Sequence, residues 1–128
     1  MTAGTRVLIV DDDRSICEAY QEILSAEGYD VVTAGSAEEA LAALDRTQGK
    51  VDDLILDIGL PDADGADLAR DISTRIGNRP TLYVSGLADD FWQLGDAPGR
   101  WRVRQKPIPI PWLVETVKWL AEGDRRGE

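Results

Sequence analysis

The sequence predicts a doubly wound α/β fold, a parallel β-sheet with helices packed on both faces. Two observations carry this expectation. Five short apolar runs alternate with five longer segments that are helical or connecting in character, and the links between them are short. Such strict alternation leaves a parallel sheet with crossover helices as the simplest architecture. In addition, the first run, Val7–Val10, is continuously apolar, as a strand buried on both faces should be. A chain of 128 residues with 43% hydrophobic and 30% charged residues suits one globular domain with a single sizeable core.

The elements follow in order. After Val7–Val10, Ile16, Tyr20, Ile23 and Leu24 recur with helical spacing, and Gly28 stops that helix. Tyr29 to Ala34 reads as the second strand. Ser36-Ala-Glu-Glu39 has the capping-box pattern and opens an alanine- and leucine-rich helix up to Arg46. Leu54–Leu56 is the third strand, with Asp57 at its carboxyl end. Leu68, Ile72 and Ile76 recur every four residues as the third helix, which Asn78-Arg79-Pro80 breaks. Thr81–Val84 is the fourth strand, ending at Ser85. In Ala88 to Arg100, Gly95, Pro98 and Gly99 limit any helix to about two turns. Trp101–Gln105 is a short fifth strand. Lys106 to Pro111 is a stiff connector whose last proline suits the first turn of a final helix, which buries Leu113, Val117 and Leu120 and ends at Gly123. The domain is therefore expected over residues 1–123, with 124–128 a frayed polar tail.

Composition excludes several function classes. A formal net charge of −10 argues against direct nucleic-acid binding; the basic clusters, Arg100 to Lys106 and Arg125-Arg126, are short. No apolar run approaches the roughly 20 residues of a membrane span, and the first six residues run straight into a strand, unlike a signal peptide. A single cysteine, Cys17, excludes an internal disulfide and falls among core-facing helix positions, where packing is the expected role. With no histidine, the commonest general base and transition-metal ligand is missing. Carboxylates remain, and they suit hard cations such as Mg2+.

Sheets of this class bind ligands at the carboxyl ends of their strands. The polar residues standing there are Asp11, Asp12, Asp57, Ser85 and Lys106, from four separate strands. At an effective dielectric of about 20, two unit charges ~4 Å apart repel by about 4 kcal/mol. Three clustered carboxylates therefore call for a divalent cation. Asp57 as a nucleophile would form an aspartyl-phosphate, Lys106 would pair with a phosphate oxygen as a point charge, and Ser85 would donate a hydrogen bond to another.

Val7–Asp13, Leu54–Asp57 followed by Leu60-Pro-Asp-Ala-Asp-Gly65, Val84-Ser85 and Lys106-Pro107 together resemble the receiver domain of bacterial two-component response regulators, in order over nearly the whole chain. The resemblance implies a flavodoxin-like five-stranded sheet of order 2-1-3-4-5. It implies that a histidine kinase or a histidine phosphotransfer protein phosphorylates Asp57. Asp12, Asp57 and the Gly59 backbone carbonyl would ligate Mg2+, with Asp11 acting through water. Ser85 would be the switch hydroxyl, and Lys106 the lysine that precedes a cis peptide at Pro107. The expected protein is a cytoplasmic phosphoacceptor with at most slow autodephosphorylation and not a substrate-turnover enzyme. It would signal by protein contact, since no output domain appears in the sequence. One departure stands out: the family's Tyr or Phe three residues before the lysine is replaced by Val103, so any aromatic switch must come from elsewhere, with Trp101 on the same strand face a candidate. Two alternatives keep the fold: a phosphate sink or shuttle, and an interaction module independent of phosphorylation.

Other residues have simpler readings. Asp13 and Asp64 read as helix caps, and Asp62-Ala-Asp64-Gly65 lacks the spacing of a calcium loop. Trp92, Trp101, Trp112 and Trp119 all fall in the last third of the chain. Trp112 and Trp119 share one face of the final helix, about 110° to 120° from its buried stripe. The side from the fourth-helix segment to this final helix is thus expected to be a tryptophan-rich docking face for a downstream protein or a second copy.

Overall fold

Residues 4–126 are described by a computed structural model. Five parallel strands, β1 (Arg6–Val10), β2 (Asp30–Ala34), β3 (Asp53–Asp57), β4 (Thr81–Ser85) and β5 (Trp101–Gln105), lie in the order β2-β1-β3-β4-β5. Helices α1 (Arg14–Ala26), α2 (Ala37–Arg46), α3 (Gly65–Ile76) and α4 (Ile110–Arg126) cover the two faces, and Ala88–Leu94 forms a 3-10 segment. This is the doubly wound order expected, with β1 and β3 inside and β2 and β5 at the edges.

Each face of the sheet carries its own core. Val7, Ile9, Ile55, Leu82 and Val84 pack against α1 and α4, while Leu8, Val10, Leu54, Leu56 and Tyr83 pack against α2 and α3. The alternation follows from the two-residue period of a strand. The stripe Leu113, Val117 and Leu120 of α4 is fully buried, as are Leu68 and Ile72 of α3. Each such side chain contributes about 1.5–3 kcal/mol by leaving water.

Helix termini follow their local chemistry. Asp13 caps α1, its Oδ1 accepting the N–H groups of Ser15 and Ile16. Ser36 Oγ accepts the Glu39 N–H at the start of α2, but Glu39 reaches back to the Gly35 N–H, one residue short of the usual capping box. Asp64 caps α3 through the Asp67 N–H at 2.8 Å. Gly28, at φ 98°, turns the chain out of α1 in a conformation that other residues rarely adopt.

One expectation is corrected. The final helix does not end at Gly123 but runs through it to Arg126, so the stretch expected to fray is helical up to that residue; residues 127–128 lie outside the described residues. A helical glycine costs only about 1 kcal/mol relative to alanine, too little to end a helix by itself. After β4 the chain forms only the seven-residue 3-10 segment, within the limit that the breakers Gly95, Pro98 and Gly99 set on any helix there. No helix among the described residues is long and apolar enough to cross a membrane.

Candidate functional site

Register brings the strand ends together. Val10 pairs with Ala34 on one side and Leu56 on the other, so Asp11 leaves β1 beside Asp57 at the end of β3. Asp57 pairs with Val84, which puts Ser85 one step further along β4. Ser85 pairs with Gln105, and the Lys106 N–H donates to the Ser85 carbonyl at 2.7 Å. Four strands thus deliver all five expected side chains to one edge.

The carboxylates of Asp11, Asp12 and Asp57 each present an oxygen, all within 4.8 Å of one another. Asp11 is 1% exposed and Asp57 6%, whereas Asp12 faces solvent. Lys106 Nζ sits between the two buried acids, 2.7 Å from Asp11 Oδ2 and 3.1 Å from Asp57 Oδ2. The other oxygens are used as well: Asp57 Oδ1 accepts the Gly59 N–H at 2.9 Å, and Asp11 Oδ1 accepts the Asp13 N–H at 2.9 Å. The Lys106–Pro107 bond is cis, as the resemblance implied.

Close approach shapes the loop that follows Asp57. A Cβ on Gly65 would stand 2.7 Å from the Asp57 carbonyl oxygen and 3.0 Å from Ile58 Cα, so only glycine lets α3 start this close to the strand end.

Burial and charge oppose each other at this edge. Burial pushes the Asp11 carboxyl above its ordinary value, and Lys106 only partly offsets it. Burial would lower the pKa of Lys106, but its hydrogen bonds and charge attraction to Asp11 and Asp57 outweigh that and raise it. The asymmetry follows from depth, since the lysine side chain keeps 20% exposure against 1% for Asp11. One cation against three clustered acids leaves the edge short of positive charge. Asp12, which makes no hydrogen bond or ion pair among the described residues, is free to ligate. The donor set is all oxygen, which fits Mg2+.

Ser85 is at the site, but its hydroxyl is turned to Asp90 Oδ2, 2.7 Å away on the 3-10 segment. Sequence reasoning did not find Asp90: a lone acid in a segment without periodicity carries no signal. Asp62 was also missed. Its two oxygens accept the N–H groups of Ala37 and Glu38 at 2.9 and 3.0 Å, tying the loop after Asp57 to the start of α2. Cys17 is buried, and its thiol is pushed up to about 11 by burial, in keeping with packing.

The tryptophan face differs from a bare aromatic surface. Trp119 stacks under Arg100 and Arg102, at 3.6 and 3.7 Å from ring centroid to guanidinium, and Trp112 lies under Arg104 at 4.7 Å. Arg102 and Arg104 on β5, with Arg100 just before it, follow the two-residue period of a strand. Trp101 packs edge-on against Tyr83, with 5.7 Å between centroids, and Tyr83 pairs across the strands with Val103. Only Trp92 stands out in solvent, 80% exposed.

Comparison with known proteins gives this arrangement a context. The family model of the response regulator receiver domain matches residues 7–118. The chain is 38% identical to the transcriptional regulatory protein TrcR of Mycobacterium tuberculosis over 90% of its length, which covers 44% of that protein. It is 29% identical to the sensor kinase CckA of Brucella abortus over 95% of its length, covering 13% of the kinase. It spans less than half the length of these curated relatives. Among solved structures, a CheY-like receiver domain protein from Methanospirillum hungatei superposes with a TM-score of 0.86 at 28% identity, over 97% of this chain and 98% of that one. The receiver domain of the hybrid histidine kinase CckA gives 0.75 at 31% identity, over 91% and 98%. With the family match running from β1 into α4 and the acidic edge in place, this chain belongs to the response regulator receiver domain family of two-component signalling.

Proposed function

We propose that Asp57 accepts a phosphoryl group from the phosphohistidine of a histidine kinase or a phosphotransfer protein. The observation that carries this reading is the setting of its carboxylate: beside Asp11 and Asp12, with Lys106 Nζ on one oxygen and the Gly59 N–H on the other. In the transfer, the N–P bond of phosphohistidine breaks with its electron pair going to the imidazole, and a carboxylate oxygen of Asp57 forms the new O–P bond. Asp12, Asp57 and the Gly59 carbonyl, with Asp11 through water, would hold Mg2+. Bound there, the ion supplies positive charge that neutralises the oxygens of the phosphoryl group in transit.

The protein's own groups have separable tasks. Lys106, already bridging Asp11 and Asp57, turns to a phosphate oxygen once the charge on Asp57 is replaced by that of its phosphoryl group. Ser85 donates to another. Asp11, buried and backbone-bonded, holds the edge in register. The chain acts as a phosphoacceptor and not as a turnover enzyme, in the cytoplasm where such donors are found. The guanidinium–indole surface of β5 and α4 is the docking face; Arg102, exposed and without a carboxylate partner among the described residues, favours an acidic partner surface.

The test is labelling by acetyl phosphate with Mg2+, read by intact mass. Wild type takes up one phosphoryl group and Asp57→Ala none; a label retained on Asp57→Ala overturns the assignment. A phosphate-sink or shuttle role is a second reading, favoured by Val103 in place of the family's aromatic. Return of the phosphoryl group to a histidine phosphotransfer protein would select it.

A further inference from the structure

Asp62 is exposed, yet both oxygens of its carboxylate are committed to a helix that begins 25 residues earlier. The first N–H groups of a helix have no partner inside it. In α2, Ser36 Oγ takes only the Glu39 N–H. Asp62 takes the two before it, Ala37 at 2.9 Å and Glu38 at 3.0 Å. An ionised acceptor at the positive end of a helix dipole is favoured both by the dipole and by the strength of charged hydrogen bonds.

This contact closes a ring around the acidic edge. The Asp11 N–H donates to the Ala34 carbonyl at 3.0 Å, which ties the end of β1 to the residues leading into α2. The end of β3 continues through Gly59 to Asp62, which returns to α2. The loop closes its own base: the Gly65 N–H donates to the Ile58 carbonyl at 2.8 Å, Gly59 bridges to Asp64, and Leu60 is buried. Among the described residues, however, the hydrogen bonds of residues 59–64 to an element other than β3 and α3 are those of Asp62 alone. Asp12 and Asp57 follow strands paired through Val10 and Leu56. Gly59 is exposed and has no side chain to anchor it.

We propose that Asp62 is a positioning residue for the metal site: its carboxylate braces the loop after Asp57 against the start of α2 and so holds the Gly59 carbonyl steady for the cation. The inference rests on the reading of Asp12, Asp57 and the Gly59 carbonyl as ligands of Mg2+. That ion demands near-ideal octahedral geometry, so a ligand that wanders weakens binding. A ligand group fixed beforehand need not be ordered when the ion arrives. The coupling is reciprocal. Mg2+ strengthens the Asp62 contact by the same factor with which that contact strengthens Mg2+ binding.

The experiment titrates wild type, Asp62→Ala, Asp62→Asn and Ser36→Ala with Mg2+ by calorimetry at neutral pH. It is run in 1 M KCl, where the Debye length is about 3 Å and the mere loss of a surface charge is screened. Asp62→Ala is expected to bind Mg2+ about fivefold more weakly. Asp62→Asn, which keeps one acceptor oxygen, falls between. Ser36→Ala removes a cap from the same helix turn and lowers Tm, but keeps the affinity of wild type, since it leaves the brace in place. Amide hydrogen exchange at Ala37 and Glu38 gives the reciprocal reading: saturating Mg2+ slows it about fivefold in wild type and leaves it unchanged in Asp62→Ala. Wild-type affinity in Asp62→Ala, or equal weakening in Ser36→Ala, overturns the proposal while leaving the metal ligands as assigned. Absence of Mg2+ binding by wild type overturns the metal reading and this inference with it.

Discussion

The middle of the sheet and its β5 edge are built to different standards. β1 and β3 lie in its middle; all five residues of β3 are buried, as are four of the five of β1. β5, at the edge, buries none of its five, and the 3-10 segment between β4 and β5 buries one of seven. The acidic cluster stands at the ends of the buried strands β1 and β3, and Lys106 reaches it from the end of the exposed strand β5. Asp11 and Asp57 need fixed positions, and strands packed on both faces provide them. A surface that must respond to the site is drawn from the less stable part of a fold.

The largest test of this contrast is a pair of truncations. Ile55→Ala in β3 should cost about 4 kcal/mol, within the range for buried aliphatic truncation, and Val103→Ala in half-buried β5 about 1 kcal/mol. Urea denaturation measures both, and similar losses would erase the distinction between the middle of the sheet and its edge.

Next is Lys106→Met, which keeps the volume but leaves Asp11 and Asp57 without their shared cation. Loss of one partner of a buried ion pair costs about 3 kcal/mol. Added Mg2+ should restore much of this, so the gain in Tm on adding the ion is larger for the variant than for wild type. An equal gain in both proteins would show that the lysine does not balance the acidic edge.

Gly65→Ala is a smaller and more local test. Its methyl group meets the backbone of Asp57 and Ile58, not a flexible side chain. The expected loss is about 2 kcal/mol from overpacking, larger than the up to about 1 kcal/mol that alanine adds to a helix. A shift of the strand end by a few tenths of an ångström should also slow labelling of Asp57 by about tenfold. A stabilised variant with wild-type labelling would remove the close approach as a constraint.

The smallest effect is expected at Asp62. The N–H groups of Ala37 and Glu38 hold its pKa below the ordinary 3.8. A carboxyl depressed on folding stabilises the fold above its unfolded pKa, and the contribution is lost as pH falls through the folded value. The stability difference between wild type and Asp62→Asn should therefore be constant above about pH 5 and shrink steadily below about pH 4. Melting curves across that range provide the check, and a difference independent of pH would mean that the charge of Asp62 plays no part.

Much of the buried middle of the sheet was readable along the chain. The continuous apolar run Val7–Val10 and the buried run Leu54–Leu56 announce central strands, and acids directly after such runs fall at the carboxyl edge wherever the crossovers are short. The β5 side was less readable. Gly95, Pro98 and Gly99 said that no full helix would form after β4, but not that a 3-10 segment would take its place. Gly123 looked like a helix end because the sequence does not show how small the cost of a glycine is against an otherwise favourable helix.

By itself, the sequence determined the alternation of strands and helices, the caps at Asp13, Ser36 and Asp64, and the set of residues at the strand ends. All of these depend on spacing within a few residues. The tertiary structure alone decided how those residues are shared: Lys106 between Asp11 and Asp57, Asp62 on α2 instead of on its own loop, Arg100 and Arg102 on Trp119, and the Ser85 hydroxyl beside Asp90. The physical reason is that a hydrogen bond or a stacking contact is won by whichever acceptor or ring the packed chain brings nearest. Most of these partners are distant in sequence, and even Asp90, five residues from Ser85, is placed by the turn between them and not by a regular repeat.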